Sequence, residues 1–580
     1  MDKKTDKDVK HEEEAVKLNI DNANNKDDVI DFNQLPPAPD GGYGWVIVLA
    51  SFVCNCIVDG IVYSFGIFLD NFSSYFGVGK GTMAWAGSLL SGVYMCVGPI
   101  VSALANKYGC RAVCIAGSIL GAIAFTLSTL CTSVSSFFVV YGLIGGTAFG
   151  LIYLPAIVFV GYYFDKKRSL ATGIAVCGSG FGAFIFGQVA PFLLNNLGGW
   201  KSANLVLACI ILTCFICGAL MKPLKWPDNM TVAQMKPLNL DPGVHSNLNI
   251  DKLDKNSAAL PTIVETKTDG SCCNREMAEI KIENKHRGRL NSDSNIDRLR
   301  RRKGSETGSV KASRGELDKN VPVLIRKDIF YSGSVQNLKE FQSQRSLAAY
   351  RNSVASLNRG GSTLVVNNNN IVDETDSQGC SAVLKSLMDI SLLKDPTFML
   401  LAVSNLFGMA ALFVPFFFIV DSATKEGIEN PTSLISIIGL TNTFGRIACG
   451  YVADFPSVNS LFLNNICLCL CAISLAIIPF LHTFATYMGA AVLFGVGLAG
   501  YMSLTSIILV DLLGLDKLTN AFGLLILFRG TAAIFGAPLI GLIYDSTKSY
   551  AISFYAAGGL FALAAVFSFL APIAAKFKKR

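Results

Sequence analysis

Residues 44–69 read GWVIVLASFVCNCIVDGIVYSFGIFL, and Asp59 is the one charged residue in this stretch. An apolar run of about 20 residues is long enough to cross a lipid bilayer as an α-helix. Charged residues make up only 16% of the 580-residue chain, whereas an ordinary soluble domain contains about a quarter. The stretch and the composition together predict a membrane protein whose first spanning helix lies near residues 44–69.

Eleven more apolar segments follow, on either side of a long polar stretch. Five precede it, near residues 82–105, 112–131, 137–163, 170–194 and 202–221. Six come after it, near residues 397–420, 432–453, 461–481, 485–510, 519–544 and 550–574. The sequence therefore predicts an all-α membrane protein with twelve transmembrane helices.

Hydrophilic segments flank and separate the two groups of helices. We predict a tail at residues 1–42, six helices within 43–221, a connector at 222–395, six helices within 396–574 and a basic tail at 575–580. The first tail and the connector lack a sustained apolar period, so both are predicted to be disordered. The basic run at residues 301–303 of the connector fits a solvated linker, a kinase recognition site or a lipid-binding patch.

Basic residues are distributed unevenly over the short loops and the C-terminal tail. One side of the membrane holds Lys107, Arg111, Lys166, Lys167, Arg168, Lys517, Lys576, Lys578, Lys579 and Arg580. The other side holds Lys80, Lys201, Lys425 and Lys548. Because cytoplasmic loops carry an excess of Lys and Arg, both termini are predicted to be cytoplasmic, and we expect a multi-pass protein of the plasma membrane.

The two groups of helices share sequence patterns. The pattern KxxxAxG at residues 167–173, before the fifth predicted helix, reappears at residues 517–523, before the eleventh, 350 residues later. Residues 102–106 at the end of the second helix resemble residues 450–454 at the end of the eighth, 348 residues later. Two matches at nearly one offset predict two six-helix halves related by a parallel repeat, with a ligand site between them near the middle of the membrane.

Motifs that suggest other chemistry are excluded by their context. The sequence GVGLAG at residues 495–500 matches a dinucleotide-binding pattern, but it lies inside an apolar segment with no preceding strand. The 17 cysteines lie mostly in apolar runs and are expected to be free thiols. Neither Cys272-Cys273 nor His482 has metal-ligand spacing around it, so no metal or cofactor is predicted. Charge is concentrated in the tails and connector, so the net charge of +7 does not indicate nucleic-acid binding.

Ionisable residues within the predicted spans are the candidate site residues. Asp59, Arg446 and Arg529 stand out, because a charge at mid-membrane costs roughly 3 kcal/mol or more and persists where it faces water or a partner. An arginine suits a carboxylate because its planar fork donates two parallel hydrogen bonds and stays charged. These residues therefore indicate an organic anion as the ligand, with structural pairing between helices as the alternative for each of them.

Residues 39–45 read PDGGYGW, and residues 163–175 read YFDKKRSLATGIA. Both stretches resemble signatures of the monocarboxylate transporter family of the major facilitator superfamily, and the resemblance extends over both six-helix halves. It implies a secondary transporter that moves small organic acids by alternating access, and not an enzyme. It also implies structural or gating roles for the signature residues, which are Asp40, Gly41, Gly42, Gly44, Trp45, Lys167, Arg168 and Gly173.

The resemblance also assigns roles within the spans. Arg446, in the sequence TFGR at residues 443–446, matches the family's carboxylate-binding position. Proton-coupled members have an Asp one turn before this arginine and a first-helix Lys, whereas Asn442 and Tyr63 occupy those places here. Asp59, one turn before Tyr63, is then the candidate that either takes up a proton or neutralises Arg446. The predicted substrate-binding residues are Arg446, Asn442, Tyr63, Asp59 and Arg529.

These departures make the sequence resemble the divergent branch of the family, whose members carry varied substrates such as aromatic amino acids, thyroid hormones, creatine or carnitine. Three functions stay open: a carrier of small organic acids with or without a proton, a facilitative carrier of a larger or aromatic solute, and a nutrient sensor on a transporter fold. A single-span ancillary glycoprotein is a further partner that the resemblance suggests. The connector is expected to regulate or sort the protein, so deletion of about residues 240–370 should preserve transport.

Overall fold

The computed structural model describes residues 38–222, 224, 328–344, 350, 390–453, 455 and 458–578. Secondary structure within these residues is entirely helical. Residues 1–37 of the tail predicted at 1–42, most of the predicted connector with its basic run at 301–303, and the terminal residues 579–580 lie outside the described residues. The predicted all-α fold is therefore confirmed for the described part of the chain.

The first half of the chain forms six helical segments, three of which are interrupted. Their bounds are α1 Gly44–Tyr63 with α2 Phe65–Phe76, α3 Lys80–Cys96 with α4 Gly98–Tyr108, α5 Cys110–Ser128, α6 Val134–Phe137 with α7 Gly145–Tyr163, α8 Arg168–Asn196 and α9 Trp200–Leu220. A π-helix, Phe138–Ile144, joins α6 to α7. Each segment overlaps one of the first six predicted spans.

The second half follows a short connector helix, α10, at Lys339–Gln344. Its bounds are α11 Pro396–Lys425, α12 Ser433–Ala453, α13 Ser460–Ile477, α14 Phe484–Ser503 with α15 Thr505–Leu513, α16 Leu518–Thr547 and α17 Tyr550–Lys578. Asp395 fixes the start of α11, because its carboxylate accepts a hydrogen bond from the Thr397 amide at 3.1 Å. At the other end, α17 continues through residues 575–578, which the sequence predicted as tail.

Within the described residues, ten helical stretches are long and apolar enough to cross a membrane, and α3 with α4 makes an eleventh if this pair, bent by 49°, is one span. The bend lies beside Pro99, in the first turn of α4, where a proline is tolerated at a helix start. The remaining predicted span, the eighth at residues 432–453, coincides with α12, which carries Asn442 and Arg446 and is not among these stretches. The twelfth crossing therefore stays a prediction.

One end of the bundle is marked by the last turns of the first half, and we call it the connector end. The hydroxyl of Tyr43 donates to the carbonyl of Leu220 at 2.7 Å, and the hydroxyl of Tyr163 donates to the carbonyl of Lys222 at 2.6 Å. The start of α1 and the ends of α7 and α9 therefore lie together at this end.

The opposite end, which we call the distal end, joins the two halves directly. Lys80 at the start of α3 pairs with Asp421 of α11 at 2.7 Å and with Asp70 of α2 at 2.6 Å. The amide of Gly81 donates to the carboxylate of Asp545 in α16 at 2.9 Å. These polar contacts close the distal end between α3 of the first half and α11 and α16 of the second.

The halves meet along three helix pairs, α2 with α11, α3 with α16, and α8 with α12. Small residues allow helix backbones to approach closely. A Cβ atom added at Gly66 of α2 would overlap the carbonyl oxygen of Phe416 in α11. One added at Gly81 of α3 would overlap the backbone of Gly541 in α16. Glycine at these positions is therefore required by the contact between the halves.

Two parts of the predicted connector differ from the expected disorder. Residues 328–344 form turns and two short helices, and residues 390–394 form a 3-10 helix that leads into α11. Their buried side chains are those of Asp328, Ile329, Tyr331, Val335, Leu338 and Leu392, and the separately described Tyr350 is buried as well. A polar composition over the whole connector concealed these few anchoring positions.

Candidate functional site

Arg446 lies in the middle of α12 and points toward α8 of the other half. Its Nε donates to the Oδ1 of Asn442 at 3.1 Å, and its Nη1 donates to the carbonyl of Val176 in α8 at 3.3 Å. The side chain is 5% exposed, and its Nη2 has no hydrogen-bond partner among the described residues. One arm of the guanidinium fork is therefore buried between the halves without a hydrogen bond of normal geometry, with Tyr63 close to the guanidinium.

Asp59 lies on α1 and is held by two hydroxyl groups of its own half. Its carboxylate accepts hydrogen bonds from Tyr94 of α3 at 3.3 Å and from Ser179 of α8. Asp59 and Arg446 are both described, and no direct ion pair joins them, although the carboxylate lies within the electrostatic field of the guanidinium. The structure therefore brings Asp59 and Arg446 into one region without a direct ion pair between them.

Tyr63 connects this region to the second half through aromatic contacts. Its ring stacks on Phe416 of α11 with centroids 4.3 Å apart, and Phe413 lies 6.1 Å away. Tyr153 of α7 packs edge-on against Tyr94 at 5.4 Å and lies in the field of Arg446. Aromatic rings thus line the region around the acid and the arginine.

Sequence reasoning missed Ser179, Tyr94 and Tyr153. None of them carries a charge, and hydroxyl groups occur throughout apolar helices, so the composition of a span gives no reason to select them. Only the packed structure shows that these side chains lie close to the charged groups. By contrast, Asp59, Tyr63, Asn442 and Arg446 were predicted and are brought together by α1 and α12.

Arg529 of α16 belongs to a separate polar cluster. Its Nε donates to Asn405 at 2.8 Å and its Nη2 donates to Thr505 at 2.6 Å, and its guanidinium lies 5.1 Å from the ring centroid of Tyr501. All three partners are in the second half, around a cavity of about 10 Å³ with room for one water molecule. Arg529 has no hydrogen bond to Asp59 or Arg446 among the described residues, although Tyr153 lies in the field of all three groups. The contacts of Arg529 favour a role in holding the second half together.

The two signature motifs contact each other at the connector end. The carboxylate of Asp40 accepts hydrogen bonds from the amides of Asp165 at 2.6 Å and Lys166 at 2.8 Å. The ring of Trp45 lies 5.0 Å from that of Phe164. A Cβ added at Gly44 would come within 2.9 Å of the same phenyl ring. The first signature therefore caps the turn between α7 and α8 that the second signature forms.

The structure gives a reason for some of the remaining signature residues and none for others. Gly42 has a φ of +55°, a left-handed conformation that favours glycine. Gly41 and Gly173 have open space where a Cβ would stand, and nothing in the packing explains either glycine. Lys167 is exposed at the start of α8, whereas Arg168 is buried and pairs with Asp328 of the connector. Of the predicted gating residues, Arg168 is thus the one with a polar contact beyond its own half.

Replacing Asp40 with alanine should lower the melting temperature of the protein in detergent. The change removes the acceptor for two backbone amides, and a hydrogen bond to a charged group contributes about 1.5–3 kcal/mol. Asp40→Asn is the matched control, because asparagine keeps an acceptor oxygen and tolerates the φ of +51° at this position. Equal melting temperatures for Asp40→Ala and the wild type would contradict the capping role.

No metal centre is visible in the part of the chain that the structure describes, where no group of three or more His, Cys, Asp or Glu side chains is placed to hold an ion. The 14 cysteines in that part are all free thiols, as the sequence predicted, and most are buried in the helices. Away from the distal ion pair, Asp59 and Arg446 are charged groups at the contact between the halves, with hydroxyl and amide groups around them.

Comparison with known proteins agrees with this arrangement. The family model of the Major Facilitator Superfamily matches residues 51–503. Human monocarboxylate transporter 14 is 27% identical over 562 residues, 93% of this chain and 93% of that protein. Monocarboxylate transporter 9 of Rattus norvegicus is 28% identical over 526 residues, 90% of this chain and 91% of that protein. Human monocarboxylate transporter 7 is 25% identical over 538 residues, 92% of this chain and 87% of that protein.

These relatives are membrane transporters rather than enzymes, and they confirm the predicted resemblance to monocarboxylate transporters; their distance from this chain fits a divergent branch. The match to the family model covers more than half of the chain, including α12 and its arginine. The chain belongs to the Major Facilitator Superfamily.

Proposed function

We propose that this protein is a secondary transporter of small organic acids that works by alternating access in the plasma membrane, with Arg446 as the anchor for the substrate carboxylate. The observation that carries the proposal is the buried Nη2 of Arg446, which has no partner among the described residues. A buried donor without an acceptor costs about 1–3 kcal/mol, and more for a charged group. A carboxylate in this place would satisfy the free arm of the fork.

The position of Asp59 supports coupling of transport to a proton. A substrate anion at Arg446 would also lie in the field of the Asp59 carboxylate, because Asp59 and Arg446 already interact electrostatically. Two anions close to one cation repel each other, and protonation of one removes that repulsion. Substrate and proton would then bind together. The hydroxyls of Ser179 and Tyr94 provide hydrogen-bond partners for Asp59 in both protonation states.

The aromatic rings favour a second candidate function, facilitated transport of a larger or aromatic solute without a proton. Tyr63 stacks on Phe416, and Tyr94 packs on Tyr153, so flat rings from both halves lie beside the acid and the arginine. Aromatic rings attract one another in stacked and edge-on arrangements. A zwitterionic aromatic substrate would place its carboxylate at Arg446 and its amine at Asp59.

Uptake into proteoliposomes distinguishes these functions. Purified protein should accumulate a labelled organic acid, and an inward proton gradient should raise the initial rate. Uptake that is indifferent to the gradient would reject coupling and favour the facilitative carrier. Binding of a labelled acid without any uptake would reject transport and leave a sensor on the same fold.

Replacing Arg529 with methionine should reduce stability without changing substrate affinity. Methionine keeps most of the side-chain volume, but it leaves the polar groups of Asn405 and Thr505 without their donor, at a cost of about 1–3 kcal/mol. We expect a lower melting temperature in detergent and an unchanged KM in the protein that reaches the membrane. Arg446→Met is the matched comparison and should lose transport instead. A large rise of KM in Arg529→Met would show that Arg529 contacts substrate.

A further inference from the structure

A segment of the connector crosses between the two halves at the connector end. We call residues 328–338 the strap. Its first contact is with the first half, where Nη1 of Arg168 lies 2.6 Å from Oδ2 of Asp328. Arg168 is 1% exposed and Asp328 is fully buried. Ile329 follows, and its Cδ1 would be 3.2 Å from a Cβ added at Gly161 of α7.

The rest of the strap packs on the second half. The hydroxyl of Ser332 is 2.7 Å from that of Ser506 in α15, and the ring of Phe330 stacks on Phe522 of α16 at 5.0 Å. Tyr331, Val335 and Leu338 are buried in the apolar core that α11, α15 and α16 form. The strap therefore packs as part of the second half. The carboxylate of Asp328, at the start of the strap, contacts the first half.

The strap is attached to the second half by apolar packing and to the first half by an ion pair, which are different kinds of interaction. Apolar burial stabilises the strap on the second half whether or not Arg168 is present, because it depends on area removed from water. A buried ion pair depends on both partners, because loss of one leaves an unpaired buried charge, whereas two ions that both return to water recover their hydration. Tyr350, buried in the same apolar core, also donates to Asp328 at 3.2 Å, so a partner stays with the carboxylate. Of the strap's attachments, the pair of Arg168 with Asp328 is therefore the one that can separate while the strap stays packed on the second half.

Direct packing between the halves lies elsewhere. The distal end is joined by Lys80 with Asp421 and by Gly81 with Asp545. Toward the connector end, α4 is bent by 49° relative to α3 and packs only loosely on α16. At the connector end the strap thus bridges halves whose helices are packed tightly at the other end.

We propose that Arg168 and Asp328 form a latch that holds the two halves in the arrangement closed at the distal end, and that the latch opens when the halves rock. The proposal rests on the proposed alternating-access function. Arg168 of the signature then has its partner on the strap, so the connector determines how long the arrangement closed at the distal end persists. Deletion of about residues 240–370, which is expected to preserve transport, would remove the strap. That deletion should therefore shift the conformational equilibrium. Deletion of residues 240–319 keeps the strap and should leave the equilibrium unchanged.

The latch is tested by the distance between the halves, measured by single-molecule energy transfer. Lys166 and Lys517 are exposed at the connector end, one in each half. Dyes should be attached there through genetically encoded click-reactive residues, because the chain has 17 cysteines. Asp328→Asn should shift the equilibrium away from the main wild-type distance by about 10-fold, the effect of losing one charge-assisted hydrogen bond. The double variant Arg168→Asp with Asp328→Arg should restore the wild-type distribution.

Two further variants keep the test decisive. Phe330→Ala leaves no buried charge unpaired and loosens the strap from α16, because its ring stacks on Phe522, so it should shift the distribution in the same direction if Asp328→Asn fails to fold. Ser343→Ala is the control, because this exposed hydroxyl donates to the carbonyl of Glu340 in its own helix and to no other group among the described residues. Wild-type distributions in both Asp328→Asn and Phe330→Ala would overturn the latch. The measurement needs no substrate, so that result would leave the transport proposal standing, while a shift without any uptake would support the latch alone.

Discussion

Arg446→Ala should nearly abolish transport while the protein still reaches the membrane in normal amount. The guanidinium is buried between α12 and α8, and it spends only Nε and Nη1 on Asn442 and Val176. Its Nη2 is left for a ligand. Loss of a hydrogen bond to a charged group costs about 1.5–3 kcal/mol, which is roughly 10- to 150-fold in affinity. Initial uptake rates, normalised to surface protein, measure the effect.

Arg446→Lys separates charge from geometry. Lysine keeps the positive charge but has no planar fork, so it cannot donate to Asn442 and to a carboxylate in the same arrangement. We expect transport to persist with a strongly raised KM. Wild-type KM in Arg446→Lys, together with active Arg446→Ala at the surface, would exclude the carboxylate anchor. Retention of Arg446→Ala inside the cell would instead indicate a structural role.

Asp59→Asn should abolish the stimulation of uptake by an inward proton gradient and leave exchange of internal for external substrate measurable. Asparagine has nearly the same shape and keeps an acceptor for Ser179 and Tyr94, but it cannot bind a proton reversibly. Exchange needs only rocking of the substrate-loaded protein, whereas net uptake needs the proton-dependent return. The comparison is made on one batch of proteoliposomes, with and without a gradient.

Asp70→Asn is the control for this experiment. Asp70 is a carboxylate of the next helix, α2, but it lies at the distal end, is largely exposed and pairs with Lys80. An exposed ion pair contributes little, and Lys80 keeps Asp421 as a second partner. Its replacement should leave the gradient response intact. Persistence of the response in Asp59→Asn would show that another group carries the proton.

The positions of the helices could be predicted because a bilayer requires long apolar runs, and each predicted span overlaps a helical segment. Their interruptions could not. The break at Ser64, the bend beside Pro99 and the π-helix at Phe138–Ile144 depend on how neighbouring helices pack. An apolar sequence is compatible with a straight helix in all three places, so only the packed structure distinguishes them.

The candidate site was predictable to the extent that it is charged. Asp59 and Arg446 are conspicuous in an apolar background, because charge in a membrane is expensive. Their separation was not predictable, since it depends on Ser179 and Tyr94, whose hydroxyls hold the Asp59 carboxylate. Similarly, Asp328 is one acid among many polar residues of the connector, and only burial against Arg168 distinguishes it.

The contact between the two signature motifs has a consequence for exchanging parts between related proteins. Asp40 and Trp45 come from the start of the first helical segment, and their partners at residues 163–166 precede the fifth. The two stretches are remote along the chain but form one block in space. A chimera that takes only one stretch from a distant relative should therefore fold poorly, whereas a chimera that takes both should tolerate the exchange. The two motifs would then be inherited as a pair because their residues pack against each other.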